Sequence, residues 1–275
     1  MKTTKHPLII GSTGKTGSRV MQRLKTLGYM PKGAARTGEV HFDWEAPTTW
    51  APALNGIDSV YITYYPDLAM PRAPEDISCF CALAKMKGVR HITLLSGRGE
   101  PAAQRCEDIV RQSGIDWTIV RAAWFNQNFS EGLFRQFITQ GNIALPVNSV
   151  TEPFVDIDDL ADVVVASLTE PGHEGQLYEI TGPELLSFPQ LAVRFSALLK
   201  RQVTFEQVSL EEFQHRLEQQ NVAPEFIAAL TYLFTEVLDG RSEFLTDGVQ
   251  RALGREPKSF NQYILDNARY FEGSA

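Results

Sequence analysis

The sequence predicts an α/β protein built on a doubly wound parallel sheet, with a smaller and mainly helical C-terminal lobe. Two observations predict this class. Strand-like segments alternate with helical segments up to about residue 121, which is typical of parallel βαβ units. Beyond residue 182 the pattern is mostly helical. We therefore expect a sheet domain over residues 1–150, with a returning strand near 176–181, and a helical lobe over 182–275 interleaved with segments of 122–175.

The elements of the sheet domain follow from apolar periodicity. An apolar run at 8–10 stops at Gly11, and Val20 and Leu24 then recur at helical spacing until Gly28 ends the helix. The unbroken apolar and β-branched run at 58–65 predicts a buried strand. Strands are predicted at 8–10, 32–36, 40–42, 58–65, 91–96 and 117–120, and helices at 15–27, 73–87 and 104–112.

The rest of the chain predicts more helix than strand. The helix over 160–168 is expected to begin at Asp158 or Asp159 as its N-cap. The other helices are predicted at 131–139, 188–200, 210–220, 224–238 and 260–271, and the strands at 153–155, 176–181 and 203–208.

A glycine-rich loop joins the first strand to the first helix. Its spacing is G-x-x-G-x-x-G, which suits a tight turn, a close approach of a pyrophosphate to the backbone, and close packing of helix on sheet. The helix N-terminus offers unpaired N–H groups to phosphate. We predict a Rossmann-type dinucleotide site that uses Gly11, Ser12, Thr13, Gly14, Lys15 and Thr16.

The end of the second strand indicates which dinucleotide binds. An NAD site places an acid there for the ribose 2′-hydroxyl, whereas this strand ends in Ala34-Ala35-Arg36, with no acid before Glu39. Arg36, with or without Lys15, would pair with a 2′-phosphate. NADP(H) is therefore favoured over NAD(H), and the alternative is that Arg36 is a solvated surface arginine.

Two further residues at strand ends are candidates for the cofactor site. Asp43 follows the third strand, where an acid holds the adenine amino group in many such folds; alternatively it is a turn or capping acid. Tyr65 ends the fourth strand, where the ribose and nicotinamide would lie, and the alternative for Tyr65 is lobe packing.

Composition excludes several classes of partner. The net charge of −7 argues against nucleic acid and anionic membranes, and no run of about eighteen apolar residues could span a bilayer. Residues 1–7 lack the apolar core of a signal peptide, so we expect a cytoplasmic protein. The three cysteines and five histidines show no metal-ligand spacing. The expected partner is a small-molecule substrate, and the sequence does not predict an oligomeric state.

The ordered motifs of this chain resemble those of the NmrA-like group of atypical short-chain dehydrogenase/reductases. The resemblance is carried by GSTGKTG at 11–17, Arg36, KMKGVRHITLLSG at 85–97, SGIDWTIVRAAWFNQNF at 113–129, EPFVDIDDLADVVVASLTEP at 152–171 and YEITGPELLSFPQLA at 178–192. The segment 208–230 looks closest to the ergot-alkaloid branch, which includes festuclavine and agroclavine dehydrogenases. The resemblance implies NADP(H) as hydride donor and a helical lobe that forms a substrate cleft.

The chain lacks the proton-donating residue pair of a typical short-chain dehydrogenase. No Tyr-x-x-x-Lys pair occurs, and Asp108 or a neighbour stands where several relatives have lysine. Ser96 matches the usual serine in place and, with Tyr65, is a candidate catalytic residue; alternatively Ser96 caps its strand. The nicotinamide is expected between Tyr65, Ser96 and Trp124.

The residues after the sixth strand are where the family shapes its substrate pocket. Trp124, Phe125 and Asn128 are therefore the candidate pocket residues, and the alternative for the aromatic pair is to seal the two lobes. The leading hypothesis is an NADPH-dependent reductase of a small electrophilic acceptor, such as a quinone, an imine or iminium ion, or a dye, because hydride transfer to these needs little acid help. The alternative is a non-catalytic NADP(H)-binding redox sensor that acts on a protein partner.

Overall fold

A computed structural model of the chain describes residues 6–147 and 149–272. The chain divides into two compact units, each built from three segments. The sheet unit comprises Met1–Ala122, Ile157–Ile180 and Asp247–Arg255, and the helical unit comprises Ala123–Asp156, Thr181–Thr246 and Glu256–Ala275. The segment Ala123–Asp156 thus belongs to the helical unit, and it falls within the 122–175 stretch whose segments were expected to interleave with the helical lobe.

Eleven strands are present among the described residues. They are β1 Pro7–Ile10, β2 Lys32–Ala35, β3 Val40–His41, β4 Ser59–Ile62, β5 His91–Gly97, β6 Asp116–Ala122, β7 Asn142–Leu145, β8 Thr151–Glu152, β9 Gln176–Ile180, β10 Leu186–Ser187 and β11 Thr204–Gln207.

Twelve α-helices accompany these strands in the described part of the chain. They are α1 Lys15–Thr26, α2 Trp50–Ala53, α3 Ala73–Met86, α4 Pro101–Gln112, α5 Arg135–Gln140, α6 Ile157–Thr169, α7 Phe188–Leu199, α8 Leu210–Gln219, α9 Pro224–Tyr232, α10 Gly248–Leu253, α11 Phe260–Asp266 and α12 Ala268–Phe271. Short 3₁₀ turns lie at Pro47–Thr49 and Asn126–Asn128, and a π-helical turn at Leu233–Val237 continues α9.

The seven strands of the sheet unit form one parallel sheet in the order β3-β2-β1-β4-β5-β6-β9. The central strands β1 and β4 are buried along their whole length, as expected where helices cover both faces of a parallel sheet. The order reverses beside β1, so the carboxyl ends of β1, β2 and β4 meet at one edge, where such folds bind their ligands. The predicted doubly wound α/β class is confirmed.

The helical unit is organised around an aromatic core and two small ribbons. β7 pairs in parallel with β11, and β8 pairs antiparallel with β10. The core is rich in phenylalanine: Phe129, Phe154, Phe195 and Phe260 are buried with ring centroids 5.5–6.1 Å apart in successive contacts. Each such contact adds to the hydrophobic stabilisation of the unit.

Several predicted boundaries were wrong for local reasons. The strand predicted over 58–65 ends at Ile62, because Thr63 turns its hydroxyl to the Ile10 carbonyl (3.0 Å) while its own carbonyl accepts from Trp44 Nε1 (3.0 Å). The strand predicted at 153–155 lies at 151–152, since Pro153 has no N–H to donate to a ladder. The helix predicted from 131 begins at 135, after Gly132 with φ 126°.

Other differences concern the helices. Asp158 and Asp159 lie within the first turn of α6 rather than at its N-cap, and they pair there with arginines. The helix predicted over 224–238 becomes π-helical from Leu233. The strands β7 and β10 and the helix α10 were not predicted, because each has six residues or fewer and too little periodicity to detect.

None of the helices in the described ranges, 6–147 and 149–272, combines the length and apolar character that a bilayer crossing requires.

Candidate functional site

The glycine-rich loop leaves the end of β1 in a tight turn. Gly11 has φ 74° and its N–H donates to the Ala34 carbonyl (2.9 Å), which also accepts from the Ser12 N–H (3.2 Å). A Cβ on Gly11 would lie 2.2 Å from Thr63 Oγ1. The turn therefore lies against the ends of both neighbouring strands, β2 and β4, and leaves no room for a side chain at position 11.

The other two glycines of the loop have different roles. A Cβ on Gly17 would lie 2.2 Å from the Gly11 carbonyl oxygen, so this glycine is required for α1 to pack on the loop. Gly14 is exposed and extended (φ −82°, ψ 176°), and a Cβ there would meet only the Gly11 oxygen, at 3.2 Å. The fold therefore requires glycine at 17, whereas a methyl group at 14 needs only a shift of a few tenths of an ångström at the Gly11 oxygen.

The N-terminus of α1 is electrostatically suited to an anion. Gly14 is its N-cap and supplies no side-chain cap, and the first turn contains no acidic residue. The first N–H groups of a helix have no acceptors within the helix, and the helix dipole favours negative charge beside them. The exposed Thr13 and Gly14 leave the backbone open on this side. The loop thus fits a pyrophosphate in a cradle formed by the exposed backbone of Thr13 and Gly14. A side chain at position 14 would fill this cradle.

The remaining loop side chains differ in exposure. Ser12 lies beside the β2–β3 connection, with its Oγ 3.4 Å from the point a Cβ on Gly38 would occupy. Lys15 is half-buried, and its carbonyl accepts from Arg19 Nη1 (2.9 Å). Thr16 is buried in the first turn of α1. A cofactor would therefore contact the backbone N–H of Thr16 rather than its side chain.

Arg36 and Tyr65 meet at the edge of the sheet beside this loop. Arg36 follows β2, Tyr65 lies three residues beyond β4, and the guanidinium carbon is 4.3 Å from the centroid of the tyrosine ring. Both side chains are exposed. The structure thus brings together the loop, Arg36 and Tyr65 among the predicted cofactor residues.

Asp43 is held in a turn rather than directed at the loop. Its Oδ1 accepts from the Glu45 N–H (3.0 Å), its carbonyl accepts from Trp50 Nε1 (2.8 Å), and its own N–H donates to Thr49 Oγ1 (3.0 Å). These contacts agree with the alternative expectation of a turn acid. A role in holding adenine stays a prediction.

Ser96 is buried and already has a partner. Its hydroxyl donates to Glu107 Oε1 (2.7 Å), and the two carboxylate oxygens of Glu107 also accept from Arg121 Nε (2.9 Å) and Nη2 (2.6 Å). Arg121 in turn contacts Glu179, which pairs with the buried Arg98 (2.7 Å). The hydrogen bond that Arg121 donates to Glu107 is the main cause that raises the pKa of Arg121. A catalytic role for Ser96 would require it to leave this network.

Several relatives have a lysine in this part of the helix. In this chain Glu107, the neighbour of Asp108, contacts Ser96. Asp108 is exposed and pairs with Arg111 (3.0 Å). Two signals in the sequence indicate this network. Arg121 follows the apolar pair Ile119-Val120 in β6, and Glu107 falls on the buried stripe of α4 defined by Ala103 and Val110. A charged residue in such a position needs a buried partner.

A second acidic residue, Glu100, lies at the carboxyl end of β5. Its side chain is buried and folds back so closely over Gly97 that a Cβ there would lie 2.1 Å from Oε1. Burial and then the neighbouring Asp67 raise the pKa of Glu100 to about 8. Asp67 also accepts from the Ala69 N–H (2.7 Å). Glu100 therefore keeps its proton at neutral pH, and its interaction with Asp67 joins the loops that follow β4 and β5.

The raised pKa of Glu100 predicts a specific dependence of stability on pH. The folded chain keeps the Glu100 proton up to about pH 8, whereas the unfolded chain releases it near the ordinary pKa of 4.5. The free energy of unfolding should therefore fall as the pH rises from about 4.5 to about 8. Glu100→Gln keeps a neutral hydrogen-bonding group and should be more stable than the wild type at pH 8, by about 2 kcal/mol or more.

Urea unfolding at pH 5, 6.5 and 8 measures this difference. The matched control is Glu225→Gln, which changes an exposed glutamate in the helical unit and should leave the pH profile unaltered. If wild type and Glu100→Gln lose stability in parallel between pH 5 and 8, the raised pKa of Glu100 is refuted.

The predicted pocket residues lie in the helical unit. Trp124 is half-buried, and its ring is near Phe134 (6.2 Å, stacked), Phe188 (5.8 Å, edge-on) and Phe234 (5.5 Å). Phe125 forms an isolated parallel bridge with Val155. The Phe125 carbonyl accepts from the Asn128 N–H (3.1 Å) in the following 3₁₀ turn. Trp124 thus lies on an aromatic cluster and presents part of its ring to solvent.

The described residues contain no group of three or more histidine, cysteine, aspartate or glutamate side chains arranged to hold a metal ion. Cys79 is exposed, Cys81 and Cys106 are buried, and all three are free thiols.

Comparison with known families agrees with this geometry. Residues 104–264 match the NmrA-like family, and residues 11–171 match a family described as NAD(P)H-binding. Relatives include an uncharacterised oxidoreductase of Bacillus subtilis (29% identical, 96% of each chain covered) and an NAD(P)H azoreductase of Xenophilus azovorans (27%, covering 96% of this chain and 98% of the relative). Festuclavine dehydrogenase of Aspergillus fumigatus is 29% identical over 92% of this chain and 94% of its own.

Solved structures show the same fold at lower identity. The triphenylmethane reductase of Citrobacter sp., complexed with NADP(H), superposes with a TM-score of 0.82 at 20% identity, covering 95% of this chain and 99% of the other. An NADPH-dependent quinone oxidoreductase of Escherichia coli gives 0.80 at 17% identity, covering 94% and 99%. The sequence match to the NmrA-like family covers more than half of the chain, and the predicted family is confirmed: this chain belongs to the NmrA-like family.

Proposed function

We propose that this chain is an NADPH-dependent reductase that transfers hydride to a small electrophilic organic acceptor of the quinone, imine or iminium, or dye class. The observation that carries the proposal is the open cradle at Gly14, beside a helix N-terminus that has neither a side-chain cap nor an acid. The relatives support an oxidoreductase, since they are named as an azoreductase and a festuclavine dehydrogenase.

The residues that would hold the cofactor lie in the sheet unit. Backbone N–H groups of Thr13 to Thr16 would bind the pyrophosphate, and Arg36 would pair with the 2′-phosphate that distinguishes NADP from NAD. The stretch after β2 contains no acid that would repel this phosphate before Glu39. Bound NADPH would supply the hydride, while the protein would position the two reactants.

The acceptor class follows from the missing proton relay. The sequence has no Tyr-x-x-x-Lys pair, and the Ser96 hydroxyl is engaged by Glu107. A carbonyl that needs protonation during reduction is therefore a poor candidate. A quinone, iminium or conjugated dye already carries the electron deficiency that accepts hydride.

Trp124 is the residue proposed to stack on a flat acceptor. Trp124→Ala should raise the KM for a dye or quinone about tenfold, corresponding to the loss of one aromatic stacking contact of about 1.4 kcal/mol, and leave the Kd for NADPH within a factor of about two. Trp124→Phe, which keeps a ring on the Phe134 cluster, should lose less. Steady-state kinetics with both substrates varied measures these constants. Unchanged KM values in Trp124→Ala would remove this residue from the pocket.

Turnover tests the proposal directly. The chain is incubated with NADPH and a panel of quinones, cyclic iminium ions, azo dyes and triphenylmethane dyes, and the loss of NADPH absorbance is followed. We expect turnover with at least one class and less turnover when NADH replaces NADPH. Tight binding of NADPH with no turnover across the panel would contradict the reductase.

That outcome would favour the second candidate function, a redox sensor that binds NADP(H) and acts on a protein partner. The observation in its favour is the same hydrogen bond that occupies Ser96, because a binding protein needs no catalytic hydroxyl.

A further inference from the structure

Tyr65, which was predicted to be a catalytic residue, also stacks on Arg36 at the edge of the sheet. The residue is 56% exposed, yet the Arg36 guanidinium carbon lies over its ring, 4.3 Å from the centroid. Arg36 follows β2 and Tyr65 follows β4, which lie on opposite sides of β1. The stacked pair therefore links the two strand ends that flank the strand carrying the glycine-rich loop.

Both partners of the stack are anchored through their neighbours. The Arg36 carbonyl is bonded to His41 Nδ1 (3.0 Å). Next to Tyr65, Tyr64 donates its hydroxyl to the buried Asp76 (2.7 Å) and packs on Trp44 (4.9 Å). The two backbones are thus fixed on rigid strand ends, and the ring of Tyr65 is the contact that restricts the long Arg36 side chain.

The chemistry of a stacked guanidinium is compatible with phosphate binding. An arginine stacks through its flat face, whereas its N–H groups point outward in the plane and form the fork that fits a phosphate. Stacking therefore leaves the donor edge available. It also reduces the number of side-chain conformations that Arg36 would lose on binding.

We propose that Tyr65 is a specificity-positioning residue for NADP, which holds Arg36 in place for the 2′-phosphate; this inference rests on the proposed NADPH function. Tyr65 then acts on the adenosine side of the cofactor, through Arg36, rather than on the reacting nicotinamide. An exposed stack of this kind contributes about 0.5–1 kcal/mol, so its loss should weaken recognition of the 2′-phosphate about two- to fivefold.

The test uses two adenosine probes that differ by this phosphate. The chain, Tyr65→Ala, Tyr65→Phe, Arg36→Ala and the double variant are titrated with 2′,5′-ADP and with 5′-AMP by calorimetry. We expect Tyr65→Ala to bind 2′,5′-ADP about two- to fivefold more weakly and 5′-AMP as the wild type does, and Tyr65→Phe to behave as the wild type. Adding Tyr65→Ala to Arg36→Ala should cost nothing more, because the two act as one unit.

The outcomes separate this inference from the proposed function. If Tyr65→Ala keeps the wild-type ratio of the two affinities while Arg36→Ala lowers it, Tyr65 does not position Arg36, and the NADPH proposal stands. A Tyr65→Ala variant that loses both ligands equally would also overturn the inference, because the ring would then contact the shared part of the probes. If Arg36→Ala itself keeps the wild-type ratio, Arg36 does not bind the 2′-phosphate, and the positioning role of Tyr65 is overturned with it.

Discussion

Gly14→Ala is expected to fold as the wild type does and to bind NADPH about tenfold more weakly or worse, a loss of about 1.4 kcal/mol. The added methyl group meets only the Gly11 oxygen at 3.2 Å, and the backbone at 14 is extended, so the fold can accept it. The same methyl group stands where a pyrophosphate would approach the loop. Fluorescence titration gives the affinity, and thermal unfolding gives the stability.

Gly17→Ala is the matched comparison, because it adds the same methyl group three residues later. Its Cβ would lie 2.2 Å from the Gly11 oxygen and 2.7 Å from the Gly11 carbon, both of which are backbone atoms. This variant should lose about 1–3 kcal/mol of stability as well as cofactor affinity. If Gly14→Ala binds NADPH like the wild type, the pyrophosphate does not approach at Gly14.

Glu107→Ala should lower the free energy of unfolding by about 3–5 kcal/mol, the usual cost of removing one partner from a buried ion pair. Glu107 is fully buried, and its loss removes the acceptor of the Ser96 hydroxyl and the carboxylate that pairs with Arg121 through two hydrogen bonds, while the contact of Arg121 with Glu179 is kept. Glu107→Gln keeps the shape and one acceptor oxygen, and should lose less. Urea unfolding of the three proteins measures the order.

The control for this prediction is Asp108→Ala, the adjacent acid on the same helix. Its side chain is 60% exposed and pairs only at the surface with Arg111, so its removal should cost about 1 kcal/mol or less. Equal losses in Glu107→Ala and Asp108→Ala would show that the buried network contributes no special stability.

The sheet was predictable because its signals are local. The buried run in β4 and the helical spacing of Val20 and Leu24 each identify an element without knowledge of its neighbours. The early end of β4 was not predictable, because it depends on the hydrogen bonds of Thr63 with Ile10 and Trp44. The short ribbons β7–β11 and β8–β10 depend likewise on partners about sixty and thirty-five residues away.

The candidate site likewise has features that local sequence predicts and features that depend on distant residues. The loop from Gly11 to Gly17 was predicted from its glycine spacing and from its place between an apolar run and a helical segment, both of which are local signals. The orientation of Ser96 was not predictable, since it depends on Glu107 in the following helix. The Glu100–Asp67 pair also joins two separate loops, and no local pattern marks it.

The most direct test of the account is the affinity of the wild-type chain for NADPH and for NADH, measured by titration of cofactor fluorescence at one ionic strength. The account predicts saturable binding of both, with NADPH tighter by about tenfold or more, as expected for one charge-assisted pairing of Arg36 with the 2′-phosphate. Binding of neither cofactor, or tighter binding of NADH, would contradict it.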